Sequence, residues 1–380
     1  MANAKSYDLA VVGAGIVGMA CALAAARRGK RVVVIDRDAQ ANGASVRNFG
    51  FVTVTGQARG EMWRRAHRTR DIWAEVAPQA RIPLLHHGLV MAARRPESMA
   101  VLEAFINTEM GEGCRLLAAG EARRDHPHLA GDGLLGALWS PHELRVESRQ
   151  AIPRLAAWLG EKHEVTFYWG AAALSVETGR VLTTRGLIEA AAVVVCPGDD
   201  LFTLFPEPIA AAGVTRCKLQ MLRLADPGFR ISGAVMSDLG LARYAGYAAL
   251  PQAVPLVERL RDEQPEHLAH GIHLIVVQSR DGSLVVGDSH HYADTPDPFS
   301  HQAVDDLILD EFVQVFGQPA PPVVERWTGT YASAQDRLVL VTTPMNGVRL
   351  VMVTTGAGAS TGFALGEEVV AGLMEEGRAT

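Results

Sequence analysis

The chain has 380 residues, 48% of them hydrophobic and 21% charged, with a formal net charge of −6 at pH 7. This length exceeds what one hydrophobic core commonly serves, so two domains are expected. The acidic balance and the lack of a basic, aromatic-laced stripe argue against a nucleic-acid-binding module, although a local basic pocket for an anion is compatible with them.

The four cysteines, Cys21, Cys114, Cys196 and Cys217, show neither metal spacing nor a disulfide pattern and read as small buried residues of a reducing compartment. The first residues lack the charged and apolar regions of a signal peptide, and the apolar run over 9–26 is broken by glycines. A cytoplasmic location without membrane insertion is therefore expected.

An apolar strand from Asp8 to Val12 runs through Gly13, Gly15 and Gly18 into an alanine-rich helix. Gly13 permits a sharp turn, Gly15 lets backbone approach a diphosphate, and Gly18 lets the helix close on the sheet. The N–H groups of the helix start, at Ile16 and Val17, are aimed at the anion. A second apolar strand from Arg31 ends at Asp36, 21 residues after Gly15, where a carboxylate takes a ribose hydroxyl pair. A lone glycine motif of this spacing is also compatible with a plain tight turn. With strand, helix, second strand and acid together, dinucleotide binding is the favoured reading, without a choice between FAD and NAD.

The polar stretch from Arg37 to Gly50 either passes beneath a cofactor or is a surface loop in which Asn48 and Gly50 serve turn geometry. Residues 57–76 read as a helix with Trp63, Ala66, Arg70 and Trp73 on one face, the tryptophans more as core than as a substrate box. His86 to Ala92 reads as a strand whose adjacent histidines, His86 and His87, point to opposite sides, and 97–111 as a helix. Residues 121–133, with His126 and His128, read as a loop, and no metal site is expected. An apolar run from Leu134 to Trp139 and a helix over 147–162 follow. Alternating strands around a hairpin at Thr178 and Gly179 lead to an apolar strand from Ala190 to Cys196, ending in Pro197 and Gly198. That returning strand implies a nucleotide domain interrupted by an insertion.

Strands of an antiparallel sheet are expected at 216–223, 271–278 and 283–290, and an amphipathic helix from Ala303 to Phe316. Prolines at 319–322 mark a boundary. A buried strand from Gly347 to Thr354 then meets Gly356, Ala357, Gly358, Ala359, Ser360 and a helix from Phe363 to Met374. This is either a second point of flavin or diphosphate contact or a bare helix cap.

Taken together, the glycine motif, the stretch Ser45 to Gly50, the strand closing at Gly198 and the Gly356–Ser360 helix start resemble the D-amino-acid oxidase/glycine oxidase/sarcosine oxidase family of flavoproteins over nearly the whole chain. The stretches 43–50, 139–146, 217–223 and 287–290 more narrowly resemble a branch encoded near 2-aminoethylphosphonate breakdown genes. The resemblance implies an α/β and α+β architecture. A Rossmann-like FAD-binding domain would come from residues 1–84, 145–214 and 322–380. A discontinuous substrate domain with a large, mostly antiparallel sheet would come from 85–144 and 215–321.

It also implies FAD contacts at Gly13, Gly15, Ile16, Val17, Gly18, Asp36 and Arg37. Ala44, Ser45, Arg47 and Asn48 would follow along the diphosphate and flavin, with Ala172 and Ala173 at adenine. Gly198 closes that side, and Gly356, Ala357, Gly358, Ala359 and Ser360 meet the flavin. No cysteine follows Cys217 and no histidine stands within 45–48, so the FAD is expected to be non-covalent. Gln335 stands where the family has proline before the aspartate, a change expected to alter loop stiffness more than chemistry.

The implied reaction is hydride transfer from a neutral amine carbon to flavin N5, then imine hydrolysis, which needs orientation and charge rather than a side-chain nucleophile. Candidates for those roles are Arg47 near flavin or substrate, Lys218 for electrostatic assistance and Gln220 for a hydrogen bond. His290 is a candidate to orient substrate or accept a proton, and Tyr244 and Trp327 to form pocket walls. Each also has a purely structural reading, as ion pair, sheet edge or core. Arginine suits a phosphonate, and Arg243, Arg337 and Arg349 are further candidates for that anchor. The expected substrate is a small anionic amine, 2-aminoethylphosphonate or rather its N-methyl derivative, with dioxygen or another acceptor as oxidant. A glycine, sarcosine or D-amino-acid oxidase is the alternative enzyme, and a flavin-binding subunit of a larger complex the alternative of another class. Oligomeric state is left open.

Overall fold

The computed structural model describes residues 6–129, 131 and 133–379. Two sheets organise the chain. The first has eight strands, with Thr166–Tyr168, Val32–Ile35, Tyr7–Val12, Gly186–Val195 and Val348–Val353 running parallel in that spatial order. Val339–Met345 is antiparallel at one edge. The four residues of Val32–Ile35 are all buried, as a strand covered on both faces requires. Val11, Val34 and Val194 face a layer of helices, Ile16–Ala26, Glu61–Gln79, Ser148–His163 and Gly358–Ala379. Their neighbours Ala10, Val33, Val193 and Val195 face the opposite way, beneath the hairpin strands Ala173–Glu177 and Arg180–Thr183 and the short helix Pro206–Ala211. The strand returning after the insertion lies directly beside the first, with Val12 opposite Val195, as its apolar sequence predicts.

Close backbone approaches hold the first turn against this sheet. Gly13 has φ of +103°, and a Cβ there would stand 2.3 Å from the Cys196 carbonyl oxygen at the end of the neighbouring strand. A Cβ at Gly18 would stand 1.9 Å from the Gly13 carbonyl oxygen. The helix therefore seats on its own entry turn only because position 18 has no side chain.

The second sheet has ten strands. Thr215–Leu224 lies between Leu284–Gly287 and Val323–Ser333, and the sheet continues through Ile275–Gln278, Ala234–Met236, Leu84–Ala93 and Gly136–Val146. Its pairings are antiparallel except that of Ala234–Met236 with Leu84–Ala93. The architecture is thus the expected one, a Rossmann-like α/β region joined to a discontinuous, largely β second region.

Two sequence readings change. Val323–Ser333, placed by sequence in the nucleotide piece 322–380, pairs along its length with Thr215–Leu224 in the second sheet. The stretch read as a loop over 121–133 begins within a helix, Ala119–Asp125. Its Glu-Ala-Arg-Arg run favours helix, and Pro127 ends it; residues 130 and 132 lie outside the described residues. The helix predicted over 57–76 runs from Glu61 to Gln79, with Trp73 in the core and Trp63 partly buried against the core of the second sheet. His86 is buried and His87 exposed, on opposite sides of their strand, and all four cysteines are free and buried. Among the described residues no helix is long and apolar enough to cross a membrane.

Gly18→Ala forces a Cβ into the Gly13 carbonyl and should destabilise the chain by roughly 1–3 kcal/mol, the cost of overpacking. A lowered urea midpoint at unchanged m-value measures it; an unaltered midpoint would contradict the close packing of helix on turn.

Candidate active site

Between the two sheets lies a cavity of about 480 Å³, within the size range of ligand sites. One wall is glycine-rich backbone. Gly15, Ile16, Val17 and Gly18 line it from the first helix, and Gly356, Ala357, Gly358, Ala359 and Ser360 from the start of Gly358–Ala379. Two helix N-termini therefore open on one space and present N–H groups and positive dipole ends to it. Ser45 crosses to the first helix, where its hydroxyl accepts a hydrogen bond from the Ile16 N–H at 2.9 Å. A Cβ on Gly15 would come within 3.1 Å of that same hydroxyl. Ser360 is tied in turn to the Thr53 N–H at 2.8 Å.

The segment 44–50 completes this wall. Ala44, Ser45, Arg47 and Asn48 line the cavity. Asn48 donates to the Ala44 carbonyl and accepts from the Gly50 N–H, both at 2.6 Å, so it builds the turn while facing the cavity. Gly329 gives this segment room, since a Cβ there would stand 2.7 Å from the Arg47 carbonyl oxygen. The strand Val323–Ser333 thereby holds Arg47 at the junction of the two sheets. Gly198 also lines the cavity.

Gly13, Asp36, Arg37, Ala172 and Ala173 do not line this cavity but surround the adjoining strand ends. Asp36 accepts from the Ala14 N–H at 2.7 Å, and burial raises its pKa against the pull of that bond. Arg37 pairs with Asp200 at 2.8 Å, and the Ala172 N–H donates to the Thr184 hydroxyl at 3.1 Å.

The opposite wall is polar and belongs to the second sheet. Arg243, Tyr244, His273, Asp288, His290 and Tyr331 all line it. Arg243 donates to the Tyr292 hydroxyl at 2.9 Å. Burial works against its charge, but the surrounding Tyr292, Tyr331 and Asp288 raise its pKa above the ordinary arginine value. His290 Nδ1 lies 2.9 Å from the Gly271 carbonyl oxygen, which makes that nitrogen the protonated one and leaves Nε2 3.8 Å from Asp288 Oδ2. His273 Nδ1 is 3.5 Å from Asp288 Oδ1, and neither atom has a hydrogen-bond partner among the described residues. Burial pushes the Asp288 carboxyl up to about 7, with Arg243 opposing the rise. Burial and Arg243 hold both histidines neutral, their pKa values well below the usual one. His273, Asp288 and His290 also have the mutual spacing of metal ligands, but the Arg243 guanidinium already supplies positive charge there.

Three candidates from sequence stand elsewhere. Leu219 faces the cavity, so the alternation of Thr215–Leu224 turns Lys218 and Gln220 to the reverse side. There Lys218 pairs with Asp297 at 2.9 Å, and Gln220 bonds Asp305 at 2.8 Å and the His301 N–H at 2.9 Å. Both are structural links to the segment leading into the helix Gln302–Phe316. Trp327 lies opposite Met221, under the Arg149 guanidinium and outside the cavity. Of the three arginines considered as further anion anchors, Arg337 pairs with Asp336 at the surface and Arg349 with Glu376, leaving Arg243 at the cavity.

His273, Asp288, Tyr292 and Tyr331 received no role from sequence. A histidine standing alone before the apolar run Leu274–Val277, and an aspartate ending the buried run Leu284–Gly287, are the signals that were there to read.

Comparison with known proteins agrees with this construction. The curated glycine oxidase of Geobacillus kaustophilus (strain HTA426) is 29% identical over 210 residues, a match spanning 50% of this chain and about half, 54%, of that protein. The solved glycine oxidase of G. kaustophilus superposes with a TM-score of 0.79 at 20% identity, covering 98% of this chain and 95% of that one. L-proline dehydrogenase from P. horikoshii superposes at 0.78 with 17% identity, covering 98% and 94%. Iminodiacetate oxidase from Chelativorans sp. BNC1 does so at 0.71 with 19% identity, covering 97% and 95%. These likenesses establish the fold. The family model described as "FAD dependent oxidoreductase" matches residues 8–371, and with the glycine-lined wall fitting such a cofactor, the chain belongs to that family, with FAD as its non-covalent cofactor.

Proposed function

We propose that the chain oxidises a CH–NH or CH–NH₂ group of a small amine that carries an anion. The first candidate is N-methyl-2-aminoethylphosphonate, followed by 2-aminoethylphosphonate. The observation that carries this reading is Arg243, exposed on the cavity wall and bonded to the Tyr292 hydroxyl, with Arg47 on the same cavity. Arginine's planar fork matches a phosphonate, and two arginines match its double charge. Glycine, iminodiacetate and proline, named in the relatives, are themselves small amines bearing anions. A carboxylate anchor is thus the competing reading, and the resemblance of 43–50 and 287–290 to the aminophosphonate branch favours the phosphonate.

In this account FAD supplies the two-electron acceptor. Gly15 to Gly18, Ala44, Ser45, Gly198 and Gly356 to Ser360 would hold it, and Gly13, Asp36, Arg37, Ala172 and Ala173 would serve its adenosine part. The protein's own part is to hold the anion at Arg243 and Arg47 and to wall off bulk water with Tyr244 and Tyr331. The oxidised product hydrolyses to an aldehyde and methylamine or ammonia, and dioxygen is the proposed final acceptor.

An anaerobic panel of aminophosphonates, their N-methyl forms, glycine, sarcosine and D-amino acids tests the substrate. Flavin bleaching by the aminophosphonates, with colour restored by air, is expected; bleaching by amino acids alone would contradict the phosphonate. Arg243→Lys keeps the charge but loses the fork, and should raise KM for the anionic amine by roughly tenfold to a hundredfold, the value of a charge-assisted bond. An unchanged KM would remove Arg243 from the anchor.

A further inference from the structure

Arg243 and Arg47 meet the substrate's anion, but the amine's proton also needs a destination. An alkylammonium has no lone pair to assist loss of hydride from the neighbouring carbon. Its pKa lies about where that of lysine does, roughly 10, so it enters the site protonated at neutral pH. The cavity wall offers a place for that proton. Asp288 is buried at the end of Leu284–Gly287, and its Oδ1 has no hydrogen-bond partner among the described residues. His290 Nε2 stands 3.8 Å from its other oxygen and His273 Nδ1 3.5 Å from Oδ1. The bond from His290 to the Gly271 carbonyl keeps the His290 proton on the nitrogen away from Asp288. A buried carboxylate with an unpartnered oxygen is costly unless something completes it, and an ammonium group reaching the carboxylate from the cavity would do so.

We propose that Asp288 is a catalytic residue that receives the substrate's ammonium group and takes its proton, between His273 and His290. This rests on the amine-oxidation reading and adds the site of deprotonation to it. In the step an N–H bond breaks and an O–H bond forms on Asp288, leaving the electron pair on nitrogen. That pair becomes the second C–N bond as the carbon gives its hydride to FAD, so two electrons leave the substrate and the carboxylic acid keeps the proton.

The charged and titratable groups facing Asp288 are Arg243 and Tyr244 from the segment after the 3-10 turn Asp238–Ala242, and Cys217 from Thr215–Leu224. His273 and His290 face it from the two sides. Arg47 and Tyr331 share the cavity. Burial places the carboxyl at about 7, where it exists partly ionised at neutral pH and can both accept and release a proton.

The test is the rate of anaerobic flavin reduction against pH in the FAD-loaded enzyme, with N-methyl-2-aminoethylphosphonate and separately with sarcosine. In the wild type the rate should rise as Asp288 ionises and level off by about pH 8, near one unit above its pKa. In Asp288→Asn it should fall at pH 7 by roughly a hundredfold or more, the range of general-base catalysis. It should then climb about tenfold per pH unit through pH 9, following the free amine. Asp288→Glu should restore a plateau, and ethylphosphonate, which has no amine, should bind Asp288→Asn no more weakly than wild type, read by the flavin spectrum.

A wild-type rate that climbs tenfold per unit through pH 9 overturns the proposal, and this measurement needs no variant to fold. So does an Asp288→Asn enzyme with the wild-type plateau, or one that loses ethylphosphonate binding as severely as reduction. If sarcosine bleaches the flavin and the phosphonate does not, the substrate assignment fails while the Asp288 profile, run on sarcosine with acetate as the amine-free ligand, still decides.

Discussion

The structure depends on one approach of backbone to backbone. The Gly13 carbonyl, the Gly18 Cα and the Cys196 carbonyl meet at distances that leave no room for a Cβ on either glycine. This contact brings the first helix down onto the parallel sheet and sets its N-terminus at the cavity. The helix Gly358–Ala379 packs alongside through a similar device, since a Cβ on Gly366 would stand 2.6 Å from the Ala20 carbonyl carbon. Two helix starts so placed create an anion-accepting strip without any charged side chain. The helix-start part of this wall is therefore mostly glycine, alanine and serine, and Arg47 and Asn48 come to it from the segment 44–50.

The facing wall works by the opposite principle. It gathers Arg243, Asp288 and two histidines where burial penalises every charge. Arg243 keeps its charge because tyrosines and Asp288 surround it. The histidines give theirs up, and Asp288 is left near the balance point. Such an arrangement is expensive for folding and useful for chemistry, because the anionic amine proposed as substrate would bring both charges that this wall can meet. The large antiparallel sheet, with nonlocal strands packed on a broad apolar core, tolerates that expense.

What could be read in the chain follows from how local each feature is. The turn from Val12 to Gly18, the acid at Asp36 and the helix starting after Gly356 are short-range patterns with a direct backbone cause, and the folded chain has them. The parity of Thr215–Leu224 was equally local, but which face met the cavity depended on its partners. Leu219 faces inward because the strand is flanked by Leu284–Gly287 and Val323–Ser333, so Lys218 and Gln220 became scaffold. The facing wall was the least legible part. Arg243, His273, Asp288 and Tyr331 are far apart in sequence and come from four segments, and nothing in the spacing of any one announces the others.

The most direct measurement of the account is a crystal structure of the FAD-loaded protein with ethylphosphonate in the site. The account predicts the flavin between the glycine-lined strip and the second sheet, with phosphonate oxygens bonded to Arg243 and open space left beside Asp288. A phosphonate bound elsewhere, with Arg243 contacting only Tyr292 and Asp288 sealed from the flavin by protein, would contradict it.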